Sequence, residues 1–218
     1  TLPSYSFWGE PITFQSTYFV FHYYAPDEKS VRASAVLLDK AYANLYRTLG
    51  WGPVPEQERI IVKVKPGLVR TRGWGDGDIE LTSPLLSQIP DGTSDTEYLA
   101  DRVFWRVSAR TLREMVPYGA SHRWAFMFTV LRGWLTSDLL GQTSAWREEG
   151  DQIFRAQTDH LAPLALADID EYYVGGVPGR DTVLWRYAAA SAFLDYAVAR
   201  EGRIVLAELL DGFSDHGS

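Results

Sequence analysis

The chain has 218 residues, 46% of them hydrophobic and none of them cysteine, which suits one domain or two small lobes sharing a core at roughly 150 residues per domain. A chain of this length removes about 70% of its unfolded surface from water, so wholesale disorder is excluded and neither disulfides nor a structural metal is needed. Its 21 basic and 28 acidic residues leave a net charge of −7, which argues against nucleic acid as a partner, because phosphate-backbone affinity comes from clustered Lys and Arg.

Residues 14–24, FQSTYFVFHYY, are aromatic and β-branched between Gly9-Glu10-Pro11 and Ala25-Pro26-Asp27, a pattern that predicts one strand. After Asp27, the residues Val31, Ala35, Leu38, Tyr42, Leu45 and Leu49 recur at steps of three and four and end at Gly50, predicting an amphipathic helix. Residues 59–65, RIIVKVK, closed by Pro66-Gly67, predict a second strand beside the first through a right-handed crossover. Gly73, Gly75 and Gly77 around Trp74 predict a turn that feeds a short edge strand at 78–82. From Asp95 onward the chain reads as helices at about 95–115, 122–140, 142–158, 181–200 and 204–210, interrupted by the glycine-rich loop 175–179. Strands followed by helices give an α+β fold, with a β-rich lobe over 1–90 and a helical lobe over 91–218.

The helix at 95–115 carries Arg102, Arg106, Arg110 and Arg113 at steps of four, four and three, which places them within a sector of roughly 80°. Leu99, Val103, Phe104, Val107, Leu112 and Met115 take much of the remaining circumference, so one cationic seam faces solvent or a cleft on a helix that is otherwise buried. The order of elements, this long helix, Trp134-Leu135-Thr136-Ser137-Asp138, and the terminal Tyr187-Ala-Ala-Ala-Ser191 with Glu201-Gly202 together resemble the gluzincin-like, or peptidase MA-like, zinc metallopeptidases. The resemblance implies a zincin-like fold: a small twisted mixed sheet with one or two helices, then a mostly helical lobe.

In that family the long helix carries His-Glu-x-x-His, two zinc ligands one turn apart with a general base between them. The matching residues here are Arg106-Val107-Ser108-Ala109-Arg110, and the family's third ligand, a Glu, falls at Ser137. A guanidinium stays protonated and has no lone pair for Zn²⁺. The resemblance therefore implies a degenerate member with no catalytic residues, no metal and no cofactor. Its groove would be lined by Arg102, Arg106 and Arg110, with Trp134, Ser137 and Tyr187 at its walls, and would take a peptide, a protein segment or another anionic ligand. It also implies an extracytoplasmic or membrane-associated setting.

Other chemistries have less in their favour. The four histidines, His22, His122, His160 and His216, are not at ligand spacing. Asp76, Asp78 and Glu80 alternate along the edge strand, suited to Ca²⁺ or to pairing with the arginine seam. An active hydrolase built on Glu97, Asp101, Glu114 or Asp138 is the alternative, and it needs a buried carboxyl with a raised pKa. A second alternative, an aromatic platform for carbohydrate, is motivated by 8 Trp and 12 Tyr, although rings more often pack cores. No stretch approaches about 18 apolar residues, so no membrane span is predicted, and no basic-then-apolar leader opens the sequence. The chain starts at Thr1, and we expect it to be part of a longer, membrane-anchored protein.

Overall fold

The computed structural model describes residues 5–54, 59–67, 69, 77–116, 124–142, 145–157 and 179–215. The predicted elements at Trp74, Asp76, His122, His160, His216 and the glycines 175 and 176 lie outside them. A short helix α1, Tyr5–Trp8, precedes strands β1, Pro11–Gln15, and β2, Phe19–Tyr24. Helix α2, Glu28–Thr48, leads to β3, Ile60–Lys65, and β4, Ile79–Thr82. Among the described residues five helices follow: α3, Asp95–Met115; α4, Ala125–Leu140; α5, Ala145–Gln157; α6, Arg180–Glu201; and α7, Ile204–Asp215. The architecture is α+β, a small mixed sheet followed by a mostly helical region. Two compact units divide the chain, one of residues 1–47 and 51–110 and one of 48–50 and 111–218.

In the first unit the sheet order is β1-β2-β3-β4, with β1 antiparallel to β2 and the other pairs parallel. The parallel β2–β3 pair spans α2, as a β-α-β unit requires. One sheet face is apolar: Phe19, Phe21, Tyr23, Val62, Val64, Ile79 and Leu81 are buried, while His22, Lys63 and Glu80 between them are half-exposed. This is the period-two signature of a sheet covered on one side. The whole predicted stripe of α2, Val31 to Leu49, is buried, and Phe19 meets Tyr42 edge to face with ring centroids 5.8 Å apart. Of α3, Leu99, Val103, Phe104 and Val107 are buried. Ser34 on α2 donates to the Thr96 carbonyl at 2.9 Å, and α3 opens on a reciprocal cap. There the Ser94 amide donates to the Glu97 carboxylate at 2.8 Å, and the Glu97 amide donates to the Ser94 hydroxyl at 3.2 Å.

Residues 14–24 are not the single strand their composition predicts: β1 and β2 form a hairpin in register Phe14↔Phe21 and Gln15↔Val20. The turn holds no Gly, Pro, Asn or Asp. It is shaped from a distance by Asp39 of α2, whose carboxylate accepts from the Ser16 hydroxyl and from the amides of Thr17 and Tyr18, all at 3.0 Å. A charged acceptor for two otherwise orphaned amides does what a turn residue does elsewhere.

In the second unit α4 is buried around most of its circumference, from Phe126 to Thr136, and ends at Gly141, whose φ of 68° is the left-handed cap conformation. Helices α4, α5 and α6 meet at Asp195, which accepts from the Trp134 indole at 2.8 Å and pairs with Arg147. Where α5 crosses α6, Gly150 lies so close that a Cβ there would sit 2.7 Å from the Leu184 carbonyl oxygen and 3.2 Å from the Ala188 Cβ.

Two outcomes follow from these anchors. Asp39→Ala lowers the urea midpoint by an amount equivalent to about 2–3 kcal/mol, the scale for losing charged hydrogen bonds, and Asp39→Asn lowers it less, since one acceptor oxygen remains. Gly150→Ala destabilises the second unit despite alanine's better helix propensity, by about 1–3 kcal/mol, the scale for overpacking a close contact; thermal unfolding measures it.

Candidate functional site

Among the described residues strand β4 is the edge of the sheet, and its register decides which of its groups face outward. The amide of Ser83 donates to the Lys65 carbonyl at 2.9 Å, so Ser83, Leu81 and Ile79 turn their main-chain groups toward β3. The main-chain groups of Glu80 and Thr82 then point away from the sheet, because successive residues alternate. The Glu80 carbonyl accepts from the guanidinium of Arg106 on α3 at 2.5 Å. Among the described residues, the amides of Glu80 and Thr82 and the carbonyl of Thr82 have no hydrogen-bond partner.

Beside this edge lies a cleft of about 420 Å³, within the range of small-ligand sites. It is lined by Val69, by Glu80, Leu81 and Thr82, by Leu86, Ser87 and Gln88 beyond the strand, and by Tyr98, Arg102 and Arg106 of α3. The Thr82 hydroxyl is held by the Val69 amide at 2.9 Å, and Ser87 donates to the Ser83 carbonyl at 3.0 Å.

Two of the four seam arginines line the cleft. Arg102 is exposed, with its guanidinium over the Tyr98 ring, 5.3 Å from the centroid. Arg106 is half-buried, and burial, followed by the like charge of Arg102, holds its pKa below the ordinary arginine value. Among the described residues neither guanidinium forms an ion pair. The acidic residues Asp78 and Glu80 do not meet this seam through their carboxylates as their alternation suggests. They pair across the sheet, Asp78 with Lys63 and Glu80 with Lys65, because the parallel register sets Lys63 opposite Glu80 and Lys65 opposite Thr82. With both engaged by lysines, they do not offer the free oxygen cluster that Ca²⁺ takes.

The remaining candidates lie elsewhere. Arg110, half-buried, follows one turn after Arg106 and is not among the residues lining the cleft. Trp134, Ser137 and Tyr187 belong to the second unit, where Trp134 and Tyr187 are buried. His22 shares a hydrogen bond with the Thr13 hydroxyl at 3.0 Å across the hairpin. Trp8, Trp134 and Trp185 are buried and Trp51, Trp105 and Trp124 half-buried, so these rings serve packing. Among the described residues no three His, Asp or Glu side chains are grouped to hold a metal ion. Arg106, a donor to the Glu80 carbonyl, offers no lone pair to a metal.

One buried carboxyl lies outside the residues weighed from sequence. Asp27, following β2, is 1% exposed; its Oδ1 accepts from the Ser83 hydroxyl at 2.7 Å, and its Oδ2 has no partner. Burial raises its pKa, opposed by the Ser83 hydrogen bond and reinforced by Asp95. It does not line the cleft. Glu97, the acid candidate at the start of α3, has its pKa lowered by hydrogen bonds from the Ser94 amide and hydroxyl. It therefore behaves as a cap, not as a proton donor.

Comparison with family models, curated proteins and solved structures returns no match for this chain. Asp27 sets a measurable pH dependence. Its folded pKa lies above its unfolded one, so its share of stability is complete below the ordinary carboxyl range and is lost as pH rises through the raised value. Stability measured by denaturant at successive pH values falls across that window, and Asp27→Asn removes this component. Glu97, shifted the other way, contributes a loss as pH falls.

Proposed function

We propose that this chain is a peptidase-like domain that has exchanged metal chemistry for binding, and that it holds an extended peptide in the cleft between β4 and α3. The carrying observation is the outward-facing main chain of Glu80 and Thr82, a sheet edge with two amides and a carbonyl lacking partners among the described residues. It borders a cleft of about 420 Å³. Such an edge gains a peptide as an added strand, with main-chain hydrogen bonds for affinity and adjacent side chains for selectivity. The zincin-like reading of the fold is supported by a sheet followed by helices, with the long helix α3 carrying Arg106 and Arg110 at the positions of the family's two histidines. Because arginine offers no ligand to zinc, no metal-activated water is available from these positions. An extracytoplasmic or membrane-associated setting belongs to the same reading. No described helix is long and apolar enough to cross a membrane.

The test joins a binding readout to an activity control. Incubated with a diverse pool of short peptides, the protein retains peptides, slows amide hydrogen exchange at Glu80 and Thr82, and leaves the pool uncut with or without added Zn²⁺. Zinc-dependent cleavage, or stoichiometric zinc in protein purified without added metal, removes the proposal and restores a peptidase. Absence of any retained peptide removes it as well.

A further inference from the structure

The cleft is asymmetric along β4 in a way that bears on which part of a peptide it accepts. A strand laid along the edge from the Thr82 end meets the carbonyl and then the amide of Thr82. The next group is the Glu80 carbonyl, already taken by Arg106, with the Glu80 amide lying beyond it, so the ladder of free pairs stops there. What stands there in place of a further main-chain partner is a guanidinium. Its neighbour Arg102 is one helical turn away on the same face of α3, so two cations meet the end of the ladder.

Both arginines are held by neutral partners. Arg102 lies over the Tyr98 ring and Arg106 reaches a carbonyl, and each guanidinium carries five N–H donors, so most of their donors remain without partners among the described residues. The nearby lysines differ, since Lys63 is neutralised by Asp78, just before β4, and Lys65 by Glu80. Two like charges, one of them half-buried, raise each other's energy. Burial and the proximity of Arg102 both lower the Arg106 pKa, as expected of a cation pair awaiting an anion. A carboxylate accepts from planar guanidinium groups in forked, charge-assisted geometry and relieves both burdens.

Resting on the peptide-binding reading above, we infer that the cleft recognises the free C-terminus of a peptide. The last residues pair antiparallel with Thr82 and Glu80, and the terminal carboxylate lies between Arg102 and Arg106. The antiparallel direction follows from the carboxylate lying at the Glu80 end, so that the peptide runs from Thr82 toward Glu80. Ser87, which donates to the Ser83 carbonyl just past Thr82, and Gln88 also line the cleft and face the residues upstream of the terminus.

The experiment uses the intact chain and two matched pools of N-acetylated tripeptides, one ending in the free acid and one in the C-terminal amide, with acetate and inorganic phosphate as separate probes. Titration is expected to show the acid pool binding at least tenfold tighter than the amide pool. In Arg102→Gln and Arg106→Gln this ratio falls toward one. Circular dichroism and thermal unfolding confirm that each variant is folded, and Arg102→Gln, at the exposed position, provides the decisive variant should Arg106→Gln unfold. Equal affinity for acid and amide pools overturns recognition of the terminus while leaving peptide binding in place. Acetate or phosphate binding as tightly as the acid pool overturns it in favour of a simple anion site. Failure of every probe to bind overturns both readings.

Discussion

The register of β4 against β3 is the constraint on which the cleft depends. Val62↔Ile79 and Val64↔Leu81 place four apolar side chains on the buried face, and a slip of one residue would bury Glu80 and expose Leu81. The same register sends Asp78 and Glu80 toward Lys63 and Lys65. It also turns the Glu80 carbonyl outward to Arg106. Hydrophobic alternation on one face therefore determines the electrostatics at the edge: Asp78 and Glu80 pair with lysines of the sheet, and among the described residues Arg102 and Arg106 have no acidic partner.

Polar anchors reached over long sequence distances hold the first unit around that edge. Asp39 shapes the β1–β2 turn from α2, and the Ser83 hydroxyl joins the end of β4 to Asp27 after β2 while accepting from the Leu85 amide at 3.2 Å. Buried or half-buried, such bonds cost desolvation, and each is tolerated because the acceptor satisfies amides or hydroxyls that would otherwise be orphaned. Asp27 is the exception in part, with one oxygen unpartnered, and its raised pKa is the physical consequence. The second unit is anchored differently, through helix contact at Gly150 and the Asp195 junction of three helices.

Periodicity carried most of the fold. The apolar stripe of α2, the β-branched run of β3 and the span of α3 agree with the structure to within a residue or so, since each is a local pattern of period two or 3.6 that burial then rewards. The hairpin within residues 14–24 was not legible. Its turn lacks Gly, Pro, Asn and Asp and is held by the Ser16 hydroxyl, which accepts from the Phe19 amide, and by Asp39, more than twenty positions away. The arginine seam was legible as a face of α3, but nothing in the spacing tells Arg102 and Arg106, which line the cleft, from Arg110, which does not. Nor does the alternation of Asp78 and Glu80 reveal that their partners are lysines of the next strand.

By itself the sequence determined the α+β order, the buried stripes and the presence of a cationic helix face in an acidic chain, because these rest on residue chemistry and local repeat. Only the tertiary structure decided that the outward main-chain groups of the β4 edge belong to Glu80 and Thr82, and that Arg102 and Arg106 stand beside them with no acidic partner among the described residues. Those features are set by strand register and by contacts between residues remote in the chain, and neither leaves a periodic trace for sequence reading to find.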